Sequence, residues 1–258
     1  MLDKYPLHDV LKSNGTALGL ILNMASAPLV EIASLMSFDF VMIDAEHGPI
    51  NPADAEPMIR VAELCRIAPI VRVASCRPDD ALRYLDLGAV GIMFPHIKTA
   101  LDAREAVAAV RFPPLGKRGV AGSTNAAGYG VRMPFSQYLQ RANDLLLPIL
   151  IVEEPEAVEN IESILLVEGL AAVVIGAMDL CAAMGFPGDP SNPAVEAAVD
   201  RVIMLCRAAR MPVCLAASDL ETSKKHLRRG ANMLIAPIGS WLVGTGRAFT
   251  SAVRTAAP

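Results

Sequence analysis

Carboxylates, a histidine and an arginine stand at the ends of apolar runs in this chain. Asp44, Glu46 and His47 close FDFVMIDAEH, Arg72 is the one charge inside IVRV, Glu153 ends LPILIVE, and Asp179 lies just past LAAVVIGA. Two carboxylates brought side by side repel, and one holds a proton unless a cation intervenes. A hard divalent ion takes one or two protein carboxylates, keeps several waters and leaves positions for a chelating substrate, which suits Glu153 and Asp179. The alternative for each acid is a helix cap or an arginine partner. Arg72, always charged, needs a buried acid or an anionic ligand, and the residues alone leave both open. His47 among acids has the character of a general base. Asp86 in YLDLG is either a tuning partner for it or a helix-end surface acid. His96, after Pro95, is a weaker candidate for the same rim, while His8 and His226 read as peripheral. GKRGVAGS lacks the P-loop spacing, although Lys117 and Arg118 are available to close over an anion, and there is no G-x-G-x-x-G. No strand-end lysine is placed to form a Schiff base, which argues against imine chemistry.

Such scattered residues meet only if the runs that carry them are neighbouring strands. Eight short, nearly continuous apolar segments qualify, at 17–23, 38–45, 68–74, 90–95, 147–153, 170–177, 211–217 and 231–237. Continuous rather than alternating hydrophobicity marks strands buried on both faces of a covered parallel sheet. Between them, helical patterns occupy 52–66, 78–87, 98–111, 136–146, 155–167, 193–210 and 219–229, with an amphipathic terminal helix at 240–257. Pro52, Pro78, Pro155 and Pro193 fall near helix starts, and Gly88 and Gly230 where helix-ending glycines belong. The stretch 112–135 is long and rich in glycine and small residues, a length that often carries function. Alternating β and α segments indicate an α/β protein, and eight strands favour a (β/α)8 barrel over an open sheet. The active rim of such a barrel is the C-terminal end of its strands, where the candidates stand.

The chain's 258 residues suit one barrel domain over 1–258, and 53% hydrophobic against 19% charged residues provides for a large core. A net charge of −4 gives no basic face for nucleic acid. The five cysteines form no C-x-x-C pair and read as reduced thiols of a cytoplasmic protein. MLDKYPLHDV shows no signal peptide. The most membrane-like stretch, 17–36, is broken by Asn23, Ser26, Pro28 and Glu31, and reads as strand, turn and helix.

FDFVMIDAEHGP, PIVRV, LDLGAVGIMFPHIKTALDAREAV, RFPPLGKRGV, YLQRANDLLLPILIVEEPEAVENI and VVIGAMDLCAAMGFPGDPSNPAV, in that order, resemble the HpcH/HpaI aldolase family of metal-dependent pyruvate aldolases. The likeness runs from about residue 5 to 255. It implies a phosphoenolpyruvate/pyruvate-type barrel with its last helix exchanged between subunits of a homo-oligomer, a hexamer built as a trimer of dimers. It also implies Glu153 and Asp179 as ligands of Mg²⁺, Mn²⁺ or Co²⁺, and His47 as general base with Asp86 raising its basicity. Arg72 would hold the keto oxygen, Asp44 and Glu46 would orient water near the ion, and backbone at Ala177 and Met178 would bind the pyruvate carboxylate. The expected reaction joins or splits pyruvate and an aldehyde through an enolate. Two departures stand out: Ile151 replaces the family's glutamine two positions before the metal glutamate, and Gly176-Ala177-Met178-Asp179-Leu180-Cys181 replaces its Gly-Pro-Ala-Asp-Leu-Ser. They leave open a related oxo-acid decarboxylation, another carbon–carbon cleavage or a non-catalytic oxo-acid-binding barrel.

Overall fold

The computed structural model describes residues 5–13 and 15–256, so Ala257 of the expected terminal helix lies outside the described residues. Eight parallel strands close into a barrel in chain order: β1 (Ala17–Leu22), β2 (Phe40–Asp44), β3 (Ala68–Arg72), β4 (Gly91–Phe94), β5 (Leu147–Val152), β6 (Ala172–Ile175), β7 (Val213–Ala216) and β8 (Met233–Pro237). Pairing of Leu18 with Leu234 and Leu20 with Ala236 closes β8 onto β1.

The continuous apolar runs are explained by what each face meets. Phe40, Met42, Ile70, Met93, Ile149, Ile151 and Met233 fill the interior, while Val41, Ile43, Val71, Ile92 and Leu150 pack outward under the helices. Gly19, paired with Phe40, makes room for that ring: a Cβ there would come within 2.2 Å of it.

The helices are α1 (Leu7–Lys12), α2 (Ala27–Leu35), α3 (Pro52–Cys65), α4 (Pro78–Leu87), α5 (Ala100–Val110), α6 (Phe135–Leu145), α7 (Pro155–Glu159), α8 (Ile161–Leu165), α9 (Ala177–Ala183), α10 (Pro193–Ala208), α11 (Leu220–Arg229) and α12 (Ile238–Ala256). Pro52, Pro78, Pro155 and Pro193 each begin one, and Gly88 and Gly230 end α4 and α11 with φ 111° and 108°. Asn51 and Thr99 cap α3 and α5 reciprocally with Asp54 and Asp102.

Two expectations change. The single helix expected over 155–167 is two short ones meeting at Asn160, whose side-chain amide donates to the Lys98 carbonyl at 3.0 Å. The strand expected over 170–177 stops at Ile175, and Ala177 opens α9. An apolar run by itself does not separate a strand end from a helix start.

Candidate active site

Arg72 and Asp44 are register partners at the ends of β3 and β2. Nε of Arg72 donates to Asp44 Oδ1 at 2.9 Å and Nη2 to Oδ2 at 2.6 Å, a two-point contact that fixes the guanidinium plane. Backbone N–H groups of Glu46 and His47 also donate to Asp44 Oδ1, each at 3.2 Å. Asp44 is 2% exposed. Burial alone would raise its carboxyl, but the hydrogen bonds and charge of Arg72 outweigh it and hold Asp44 below its ordinary range. The acid that Arg72 required is therefore Asp44, whose Oδ1 also accepts from the turn that follows β2. Glu46 Oε2 stands 3.2 Å from Arg72 Nη1 in a charge contact without a hydrogen bond, and is buried.

Glu153 follows β5 and is 3% exposed. Its Oε1 accepts the His96 N–H at 2.7 Å. Burial raises this carboxyl, the His96 N–H and ring lower it, and the charges of Glu46 and Asp179 raise it further, leaving it net above the ordinary value. Asp179, in the first turn of α9, lines one cleft with Arg72, Glu153, Gly176, Ala177 and Met178. The cleft holds about 680 Å³, and Ile21, Met42, Met93, Ile151 and Val174 form its apolar wall.

A cation fits this set. The charges of Glu46 and Asp179 act on the buried Glu153, and a bound positive ion relieves that repulsion. Among the described residues no three His, Cys, Asp or Glu side chains converge as a complete metal cage. Two carboxylate ligands with the remaining positions left to water and substrate is the donor pattern of a hard divalent ion.

The remaining candidates divide. His47 is on the rim with its side chain 63% exposed, and Nε2 lies 3.9 Å from Glu46 Oε2. Asp86 Oδ1 accepts from Arg118 Nη2 at 2.8 Å and its carbonyl takes the Ala126 N–H, and within the described chain no hydrogen bond joins it to His47. Arg118 does not close over the cleft. It is 3% exposed, with its guanidinium 4.4 Å from the Phe112 ring centroid, and it anchors the 112–135 segment against α4. His8 is structural, its Nε2 2.6 Å from the Leu145 carbonyl. His226 is not peripheral but lines the outer cleft with Lys225 and Arg229. Glu154 is the acid the residue survey missed: Lys98 Nζ holds its Oε2 at 2.7 Å and His96 Nδ1 stands 3.3 Å from its Oε1. The sole signal was the doubled EE after β5.

Comparison with known proteins identifies the family. The sequence profile of the HpcH/HpaI aldolase/citrate lyase family matches residues 17–239. A 4-hydroxy-2-oxo-heptane-1,7-dioate aldolase from Salmonella arizonae is 35% identical over 244 residues, 94% of this chain and 92% of that protein. An HpcH/HpaI aldolase/citrate lyase family protein from Burkholderia cenocepacia superimposes with TM-score 0.91 at 33% identity, covering 96% of this chain and 98% of that one. An HpcH/HpaI aldolase from Desulfitobacterium hafniense gives TM-score 0.88 at 26% identity, covering 95% and 96%. With the barrel and the profile in agreement, the chain is a carbon–carbon lyase belonging to the HpcH/HpaI aldolase/citrate lyase family.

Proposed function

We propose that the protein splits, and in reverse forms, a 4-hydroxy-2-oxo acid, with pyruvate and an aldehyde as the other side of the reaction. The observation that carries this is a single cleft in which an Asp44-locked Arg72 faces the acids Glu153 and Asp179. The Salmonella relative's name supports the substrate class.

A divalent ion, Mg²⁺, Mn²⁺ or Co²⁺, held by Glu153 and Asp179 would supply Lewis-acid charge to the carboxylate and keto oxygen of the substrate. The chain does the rest. Asp44 occupies Nε and Nη2 of Arg72, and Glu46 Oε2 stands beside Nη1 without a hydrogen bond, so Nη1 keeps an N–H to donate toward the oxo oxygen, where negative charge grows as the C3–C4 bond breaks. Because that donor is already oriented, it needs no reorganisation during the step. N–H groups at Ala177 and Met178, at the start of α9, face the substrate carboxylate. His47 takes the C4 hydroxyl proton, the C3–C4 electron pair becomes the enolate, and the aldehyde leaves. A proton returned to C3 completes pyruvate.

The apolar wall around Ile151, where the family has a glutamine, adapts the cleft to a less polar substrate. We further propose that 1–258 works as one domain in a homohexamer with α12 exchanged between neighbours. Leu242, Val243, Phe249 and Val253 stand exposed along that helix and support this. Among the described residues no helix is long and apolar enough to cross a membrane, and the five cysteines are unpaired, which supports a cytoplasmic setting.

The direct test is exchange of pyruvate methyl protons in D2O, followed by NMR with and without each metal. Metal-dependent exchange that disappears in Arg72→Ala is expected; no exchange with any of the three ions overturns the reading.

A further inference from the structure

His96 ends the β4 segment in the left-handed backbone region, φ 55°, which a non-glycine residue seldom holds. Such outliers concentrate where surrounding structure demands one particular geometry. Here the conformation turns the His96 N–H onto Glu153 Oε1 at 2.7 Å and sets ring Nδ1 3.2 Å from the same oxygen. Nδ1 is also 3.3 Å from Glu154 Oε1, and Nε2 is 3.7 Å from Glu46 Oε1. One residue thus reaches three acids. The ring contacts are charge contacts, and the hydrogen bond to Glu153 comes from the His96 backbone N–H.

The consequence falls on Glu153. Oε1 accepts the His96 N–H with the ring in charge contact beside it, while Oε2 lies against Gly176, where a built Cβ would be 3.0 Å away. A carboxylate pinned by one oxygen presents the other. The ring also stands between Glu153 and Glu154, adjacent acids that would otherwise repel, and Lys98 draws the second aside.

We propose that His96 is a positioning residue of the cation site: it pins Glu153 Oε1 so that Oε2 alone is presented, next to Asp179, as a one-point ligand. The proposal rests on the metal-dependent reading given above and concerns the geometry of its ligand. Partners that orient a metal's carboxylate ligand commonly change affinity by about 10–100-fold when removed.

The test is Mn²⁺ titration of the full chain, read by loss of the free-ion EPR signal, for the unaltered protein, His96→Gly and His96→Asn. Glycine keeps the left-handed backbone and the N–H but removes the ring; asparagine also tolerates that backbone and supplies a side-chain N–H donor. Mn²⁺ affinity is expected to fall roughly tenfold in His96→Gly and to recover for the most part in His96→Asn, with the metal-free Tm unchanged. Unaltered affinity in His96→Gly overturns the proposal, as does a loss that asparagine leaves unrepaired or that tracks a fall in metal-free Tm. No Mn²⁺ binding by the unaltered protein is a different failure, that of the metal-dependent reading itself.

Discussion

Arg72 and Asp44 set the electrostatics of the rim, and Asp44 is the acid that grips Arg72 by two hydrogen bonds. Arg72→Lys keeps the charge but loses the planar fork that grips Asp44, so kcat should fall about 100-fold or more while Tm moves little; steady-state kinetics beside a melting curve checks this. Asp44→Ala leaves the guanidinium without its partner and should cost roughly 3–5 kcal/mol in urea unfolding, since both groups are largely buried. The same pair predicts an acid limb. The Asp44 carboxyl is held below its ordinary 3.8 in the folded state, so the pair's contribution is complete above that value and disappears as pH falls through the lower folded pKa. Unfolding free energies between about pH 5 and pH 2 should therefore drop more steeply in the unaltered protein than in Asp44→Asn; parallel profiles would deny the pair this role. Glu153→Gln and Asp179→Asn should each lower Mn²⁺ affinity by more than about tenfold without unfolding the chain, measured by EPR titration and circular dichroism. At this scale the positions of Arg72 at the end of β3 and Glu153 directly after β5 were legible, because a charge closing an apolar run announces itself, whereas Asp179 stands in the first turn of α9. The identity of Arg72's partner was not, since Asp44 lies 28 residues away and only strand register joins them.

Among the elements, the β6–α9 junction is the one the cleft depends on most directly. Gly176 lies against Glu153: a Cβ there would sit 2.8 Å from Glu153 Cβ and 3.0 Å from Oε2. Gly176→Ala should push that carboxylate off its position and weaken Mn²⁺ binding, with secondary structure retained. Isothermal titration decides, and unchanged affinity would show that Glu153 yields without consequence. The 112–135 segment teaches a second lesson about elements. Its glycines and small residues suggested a cover for substrate, and Lys117 and Arg118 suggested the charge. Instead Arg118 is buried against Phe112 and Asp86, and Asn125 Nδ2 donates to the Leu87 carbonyl at 2.8 Å, so the segment is tied to α4. Sequence shows that such a segment carries cations but not whether they face water. Strands were easier to find because both faces of each are covered. The break at Asn160 and the start of α9 were hidden inside continuous apolar stretches.

For the whole molecule, closure of β8 onto β1 converts eight separate strand ends into one rim, and the cleft at that rim is where Arg72 of β3, Glu153 after β5 and Asp179 of α9 meet. The 19-residue α12 then leaves Leu242, Val243, Phe249 and Val253 exposed, a face that association would bury. Light scattering on a Phe249→Asp, Val253→Asp double variant should report a smaller particle than the unaltered protein; equal masses would place the contact elsewhere. By itself the sequence determined the strand count, the helix starts at proline, the class of fold and which charged residues end the strands, because hydrophobic period and local backbone preference act over a few residues. Only the tertiary structure decided that Asp44 grips Arg72, that Asp86 holds Arg118, and that His96 reaches Glu46, Glu153 and Glu154 together. Those pairings depend on barrel register and on a left-handed backbone at one residue, and no local pattern along the chain encodes which side chains will be opposite one another once the barrel closes.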